Sequence, residues 1–235
     1  MKAEVAVPAY LAETYWWAYV DPRAVKLFER EWLVNLILWG NFGRLRDAAL
    51  DALGARLEGR SLQVACVYGD LIPRLAARVA EGGRLDVVDV LPIQLQNLAR
   101  KLPRRSTVQL IHGDSAALPQ KSASYDRALL FFLLHEQPEE VRRKTIAEAL
   151  RVVKPGGRLV IIDYHRPHML NPLYWPMVGV LRTLEPFAMD LWEHDIAEWL
   201  PARQRYEKRA FFGGLYQMIT LIVGDKTSEH ASRRS

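Results

Sequence analysis

The sequence predicts an α/β protein: a mostly parallel sheet with helices on both faces, a C-terminal antiparallel hairpin and an N-terminal helical cap. Three observations lead there. From residue 62 onward, short and nearly continuous apolar runs alternate with helical patterns, as strands buried on both faces do. The last two apolar runs are split by Gly213-Gly214 instead of a helix, which reads as a hairpin. Two apolar stripes of helical period precede the first strand.

The elements follow in order. Val25, Phe28, Trp32, Leu36 and Trp39 recur at spacings of three and four until Gly40-Asn-Phe-Gly43 breaks the stripe. Leu45, Ala49, Ala52 and Leu53 form a second stripe ending at Gly54. Tyr10, Tyr15, Trp16, Trp17 and Tyr19 add a dense aromatic cluster ahead of both. The first strand is expected over Gln63–Val67, with the one cysteine, Cys66, inside it. A helix marked by Leu71, Leu75 and Val79 follows, with Pro73 in its first turn. Further strands are expected over residues 84–89, 108–111, 127–132 and 158–163. Helices are expected between them, the last from Pro138 to Val153 and stopped by Lys154-Pro-Gly-Gly157. Tyr206–Phe212 and Leu215–Val223 form the hairpin. This divides the chain into a cap over 1–58, one α/β domain over 59–225 that forms a single unit with it, and a polar tail over 226–235.

The chain has 235 residues, 50% hydrophobic and 25% charged, which suits one domain with a substantial core. A lone thiol cannot form an internal disulfide and fits a reducing compartment. No basic-then-apolar leader opens the sequence, and no apolar run approaches the length of a membrane span. The net charge of +5 is mild. It is read as solvated helix ends, so no nucleic acid is expected, although an anionic membrane surface would also suit it.

In an open parallel sheet, ligands bind at the carboxyl ends of the strands, near the point where strand order reverses. Asp89 ends strand two, where a carboxylate accepts both ribose hydroxyls of a nucleotide-type cofactor. Asp114, after strand three, is placed to accept from an adenine amino group. His135-Glu136 ends an otherwise apolar strand four, with Asp163, His165 and His168 at the end of strand five. Converging nitrogen and oxygen ligands can hold a divalent metal. A hydrogen-bonded histidine beside a capping glutamate is the other reading. His112, His194 and Asp190 are weaker candidates. The aromatics from Tyr10 to Trp39 read either as core or as a cap over a flat aromatic ligand.

Val87-Val-Asp89, Gly113-Asp-Ser-Ala-Ala-Leu-Pro119, Ser124-Tyr-Asp126 and Leu150-Arg-Val-Val-Lys-Pro-Gly-Gly157 resemble the landmarks of class I methyltransferases dependent on S-adenosylmethionine. Among these the ubiquinone and menaquinone methyltransferases are similar. The likeness is closer to the rhodoquinone biosynthesis proteins, the RquA family. It is carried by Tyr15-Trp-Trp-Ala-Tyr-Val, the run from Trp32 to Phe42, Val64-Ala-Cys-Val-Tyr-Gly-Asp70, Phe131-Phe-Leu-Leu-His-Glu-Gln-Pro138 and Asp163-Tyr-His-Arg-Pro-His168.

The resemblance implies a class I methyltransferase-like (Rossmann-like) fold. It also implies an enzyme that replaces a methoxy group of ubiquinone with an amino group, with S-adenosylmethionine as amino donor and a divalent metal, Mn²⁺. Val67, Tyr68, Gly69, Asp89, Val90, Asp114, Ser115 and Phe131 would bind the cofactor. His135, Glu136 and Tyr68 would be catalytic, and His135, Glu136, Asp163 and His165 would hold the metal. Ubiquinone O-methyltransferases carry a Glu-x-x-Glu-His metal motif at this strand end. Here His135 and Glu136 stand interchanged, and Phe132 takes the place of the first glutamate.

The sequence departs from the methyltransferase pattern in one place. Ala65 and Val67 occupy positions where glycines are expected, and only Gly69 remains. Either the cofactor is excluded or its amino acid end is held differently. Two alternatives stand beside amino transfer: a quinone methyltransferase with a drifted loop, and a non-catalytic scaffold that binds lipid or protein. A polyprenyl quinone substrate implies a cytoplasmic protein attached peripherally to the inner membrane, through the cap and the apolar stretch from Pro172 to Leu184.

Overall fold

The computed structural model describes residues 6–15, 23, 30–103 and 106–224, with Glu31 and Leu184 described by backbone alone. Trp16, Trp17, Tyr19, Val25, Lys26, Phe28, Arg104, Arg105 and the tail from Asp225 lie outside the described residues. The elements run α1 (Ala9–Thr14), α2 (Glu31–Ile37), α3 (Phe42–Leu53), β1 (Arg60–Val64), α4 (Leu71–Ala77), β2 (Arg84–Asp89), α5 (Pro92–Lys101), β3 (Val108–His112) and β4 (Tyr125–Phe131). They continue α6 (Glu139–Val152), β5 (Val153–Tyr164), α7 (Tyr174–Leu184), α8 (Pro186–Glu193), β6 (Tyr206–Phe211) and β7 (Tyr216–Ile222).

The seven strands form one sheet in the order β3-β2-β1-β4-β5-β7-β6. β3, β2, β1, β4 and β5 are parallel, while β7 runs antiparallel to both β5 and β6. Strand order reverses between β1 and β4, so a crevice opens above their carboxyl ends. α3 buries Phe42, Leu45, Ala49, Leu50 and Leu53 on one face, the stripe its sequence implies. It ends at Gly54, whose φ of 116° suits a residue with no Cβ.

β1 departs from the sequence reading. It begins at Arg60 and ends at Val64, three residues earlier than expected, so Cys66 lies in the following loop. Ala65 takes a φ of +66°, which no strand accommodates. The Gln63 side chain donates to the carbonyls of Val64 and Ala65 at 3.0 and 3.1 Å, fixing the turn. β5 starts at Val153, so Lys154-Pro-Gly-Gly157 enters the sheet as an irregularity where the β4 register shifts. The apolar region after residue 172 folds as two helices, α7 and α8. Trp32 and Leu36 on α2 are 59% and 65% exposed, so this part of the first stripe faces outward instead of into the core.

The amino edge of the parallel strands carries a buried charge. Asp86 is wholly buried within β2. It accepts from Tyr125 Oη at 2.7 Å, Arg60 Nη2 at 2.8 Å and Arg84 Nε at 2.6 Å. Burial pushes its pKa up, but these three donors outweigh burial and hold it below the usual carboxylate range. Asp126 next to it accepts from the Arg60 amide at 2.7 Å and from Lys154 at 2.6 Å.

Candidate functional site

A cavity of about 450 Å³ lies over the carboxyl ends of β1, β2, β3 and β4. The β1 loop contributes Ala65, Cys66, Val67 and Tyr68; β2 contributes Asp89 and Val90; the turn after β3 contributes Asp114 and Ser115; and β4 contributes Phe131. Of the residues expected to bind a cofactor, only Gly69 lies outside the lining. It is buried at a φ of +78°, and a Cβ there would come within 2.9 Å of the Phe42 ring. Its absent side chain serves the packing of α3 under the loop.

The nucleoside end of the cavity is pinned by Asp89. One carboxylate oxygen accepts from Cys66 N at 2.6 Å and the other from Leu91 N at 2.7 Å. Burial raises its pKa despite those two bonds. The Cys66 thiol also hydrogen-bonds this carboxylate, and the acceptor capacity that remains suits a ligand hydroxyl. Asp114 caps a 3₁₀ turn, with Oδ1 accepting from Ala116 N at 2.8 Å. Lys101 donates to the Gly69 carbonyl at 2.9 Å, and Gln94 donates to Tyr68 Oη at 2.7 Å, so the loop is held from α5. This acceptor set fits the ribose and adenine of S-adenosylmethionine.

The opposite end is built on the turn after β4. His135 is buried, and its Nδ1 lies 2.9 Å from Asp163 Oδ1. Burial pushes the imidazole down, but the Asp163 charge and hydrogen bond outweigh it and raise the pKa to about 9. At neutral pH the ring is therefore an imidazolium, with Nδ1–H anchored and Nε2 3.8 Å from Glu136 Oε1. Tyr164 and Phe132 meet the ring edge-on, with centroids 4.8 and 5.9 Å away. Phe132 sits at a φ of +52°, a strained conformation for an aromatic residue that turns the chain out of the strand.

The four expected metal ligands do not converge. Both Asp163 oxygens are occupied, by Leu134 N and Tyr164 N at 2.8 Å as well as by His135. His165 turns to the Gly214 carbonyl at 2.7 Å, because β5 continues into pairing with β7. Among the described residues no three His, Cys, Asp or Glu side chains gather as a metal site. Only His135 and Glu136 of the expected set line the cavity. Asp190 pairs with Arg142 at 2.5 Å, and His112 contacts the Val90 carbonyl from an exposed position.

Two groups were missed by sequence reasoning, and a third, Tyr10, belongs to the aromatic cluster read either as core or as a cap. Glu185, in the link between α7 and α8, lines the cavity. Burial raises its pKa although the His135 charge opposes this, and its Oε2 has no hydrogen-bond partner among the described residues. Arg142 is completely buried and donates from Nε to the Leu134 carbonyl at 2.8 Å, holding the His135 turn in place. Tyr10 reaches the cavity from α1. Its hydroxyl pKa is raised by burial first and then by the charges of Glu136 and Asp114. No motif marks Glu185 or Arg142; each is an isolated residue brought in by tertiary contact.

With this geometry in place, comparison with known proteins separates the fold from the chemistry. Residues 62–157 match the family model described as a methyltransferase domain. An N-methyltransferase, NodS from Bradyrhizobium japonicum, superposes with a TM-score of 0.59 at 14% identity, over 79% of this chain and 99% of that one. The fold is that of a class I methyltransferase. Demethylmenaquinone methyltransferase of Bacillus licheniformis is 29% identical over 137 residues, 58% of each chain. The protein of the same name from Desulfitobacterium hafniense is 28% identical over 200 residues, 80% of this chain and 78% of its own. The chain thus spans a little over half the length of the Bacillus relative. Both relatives are named demethylmenaquinone methyltransferase, and neither name extends to the narrower rhodoquinone resemblance.

Proposed function

We propose that this chain is an enzyme dependent on S-adenosylmethionine that modifies a quinone ring, with methyl transfer as its reaction. One observation carries the reading: a single cavity has acidic acceptors at one end, an anchored imidazolium at the other and aromatic walls between. Asp89 takes the ribose hydroxyls and Asp114 the adenine amine. The quinone ring lies against Phe131, Phe132 and Tyr164. On the reduced, quinol form of the ring, Glu136 takes the proton of a ring hydroxyl, and His135, oriented by Asp163, presents Nε2–H to the resulting ring oxyanion and holds it in place. The new bond joins a ring carbon to the methyl group as the sulfur–methyl bond breaks, releasing S-adenosylhomocysteine. The proton on the methylated ring carbon then leaves to solvent as the ring regains its aromaticity. The demethylmenaquinone methyltransferase name of the relatives supports this chemistry.

A second reading is favoured by the β1 loop. Ala65, Val67 and Tyr68 place side chains in the cavity where the methyltransferase pattern has glycines or open backbone. A changed pose of the methionine end suits attack by its α-amine, which the rhodoquinone resemblance implies. The amine would add to the ring of ubiquinone and methanol would leave; loss of the α-proton would then pass two electrons into the quinone ring, and water would hydrolyse the resulting imine to the amino-substituted quinol and the 2-oxo acid of the cofactor. Mass spectrometry of the quinone after incubation with S-adenosylmethionine separates the two. A gained methyl group with S-adenosylhomocysteine released supports methyl transfer. Replacement of methoxy by amino overturns it in favour of the second reading. No change in demethylmenaquinone or ubiquinone overturns both and leaves a binding scaffold.

A further inference from the structure

We propose that the apolar rim of the cavity is a docking surface for an anionic lipid bilayer. Among the described residues, eight of the eleven large apolar side chains that are exposed fall within two stretches, 32–39 and 169–180. The most open are Leu170 at 86%, Trp175 at 67% and Leu36 at 65%. The stretches are distant in sequence but touch in space, where Trp39 Nε1 donates to Met177 Sδ at 3.0 Å. The inner sides of the same helices, through Ile37 and Val180, line the cavity. One apolar surface therefore runs from the cavity to the outside, and a clustered patch of this kind marks an interaction site.

Three features select a bilayer over a protein partner or a second copy. Exposed tryptophans sit on both stretches, and indoles favour the headgroup interface. Between Tyr164 and Leu184 the sequence carries His165, Arg166, His168 and Arg182 and no acidic residue, and both arginines are exposed. That one-sided charge complements anionic headgroups. The cavity is rimmed by this surface, so an apolar ligand passes from lipid to site without crossing water. No described helix is long and apolar enough to cross a membrane, so the contact is peripheral. The inference does not depend on the quinone reading, because binding is measured with neither cofactor nor quinone present.

The test is co-sedimentation of the full chain with vesicles of phosphatidylcholine, alone or mixed with phosphatidylglycerol, at low and high salt. The expected result is binding to the anionic vesicles that weakens with salt. The paired variants Trp32→Glu/Leu36→Glu and Leu170→Glu/Trp175→Glu should each weaken it at least tenfold with an unchanged melting temperature. Arg182→Gln, which leaves the apolar surface intact, should weaken it about fivefold. A protein that stays in the supernatant with anionic vesicles at low salt overturns the proposal, as do glutamate variants that bind like the parent. A dimer in light scattering that the same variants dissociate, without vesicle binding, gives the surface to a second copy instead.

Discussion

The two edges of the parallel sheet treat buried charge in opposite ways. At the amino edge, Asp86 has three donors from Tyr125, Arg60 and Arg84, and Asp126 has two from Arg60 and Lys154. At the carboxyl edge, Asp89 holds two backbone amides and the Cys66 thiol, and Glu185 has an oxygen with no partner among the described residues. Acids with side-chain cations around them contribute to the fold. Acids left with unused acceptors in a cavity cost stability and are placed for a ligand. The two edges also respond to pH in opposite directions. Asp86 and Asp126 have folded pKa values below the ordinary range. Their stabilisation is present above the unfolded value and lost as pH falls through the depressed one. His135 is raised to about 9, so its contribution is complete below its unfolded pKa and lost as pH rises through about 9.

The sharpest way to break the contrast is at the amino edge. Asp86→Ala strands the buried Tyr125 hydroxyl and releases two half-exposed arginines, and should cost about 1.5–3 kcal/mol, the range for lost hydrogen bonds to a charged group. Denaturant unfolding measures this, and a loss below about 1 kcal/mol would mean the cluster is a surface feature in energetic terms. At the carboxyl edge, His135→Gln keeps a donor for Asp163 but cannot carry charge. Turnover should fall by about 10² or more, with affinity for S-adenosylmethionine unchanged in calorimetry. The kcat of the parent should hold at neutral pH and decline above about 9; a rate that instead climbs through that range would make His135 a base. Asp89→Ala should weaken cofactor binding about tenfold, from the loss of hydrogen bonds to a charged acceptor. His165→Ala, whose ring faces Gly214, should leave turnover within about twofold, as surface-type changes do. The smallest effect belongs to Ala65→Gly. Relief of a left-handed alanine should raise stability by up to about 1 kcal/mol, read as a shifted denaturant midpoint. A simultaneous fall in activity would show that the Ala65 methyl group shapes the cofactor pose.

Much of the parallel sheet was legible because its strands are short apolar runs ended by an acid or a turn. β2 falls at Arg84–Asp89, as the sequence implies, and Asp89 and Asp114 reach one cavity because strand ends do so in this topology. β1 was misplaced because Leu62 to Val67 is apolar apart from Gln63 and nothing local marks Ala65 as left-handed. His165 lies two residues from Asp163 in sequence, yet the antiparallel pairing with β7 turns its ring to the Gly214 carbonyl instead. Glu185 and Arg142 were invisible for the opposite reason. Their roles come from elements far away in sequence, and a single charged residue in a helix or link looks like a solvated one.

Arg142 sets how the cavity can open. Its guanidinium donates to the Leu134 carbonyl behind the His135 turn, to Asp190 on α8 and to the Phe187 carbonyl. No solvent reaches it. Separating the turn from α8 would expose a bare cation to a dry interior, so the two behave as one rigid body on the timescale of turnover. Breathing that admits a bulky ring is easier on the other wall, at α2 and α7, where Trp39, just after α2, donates to the Met177 sulfur. Hydrogen exchange should accordingly be slow at the amides of the His135 turn and fast along α2, a gradient of local stability across one pocket.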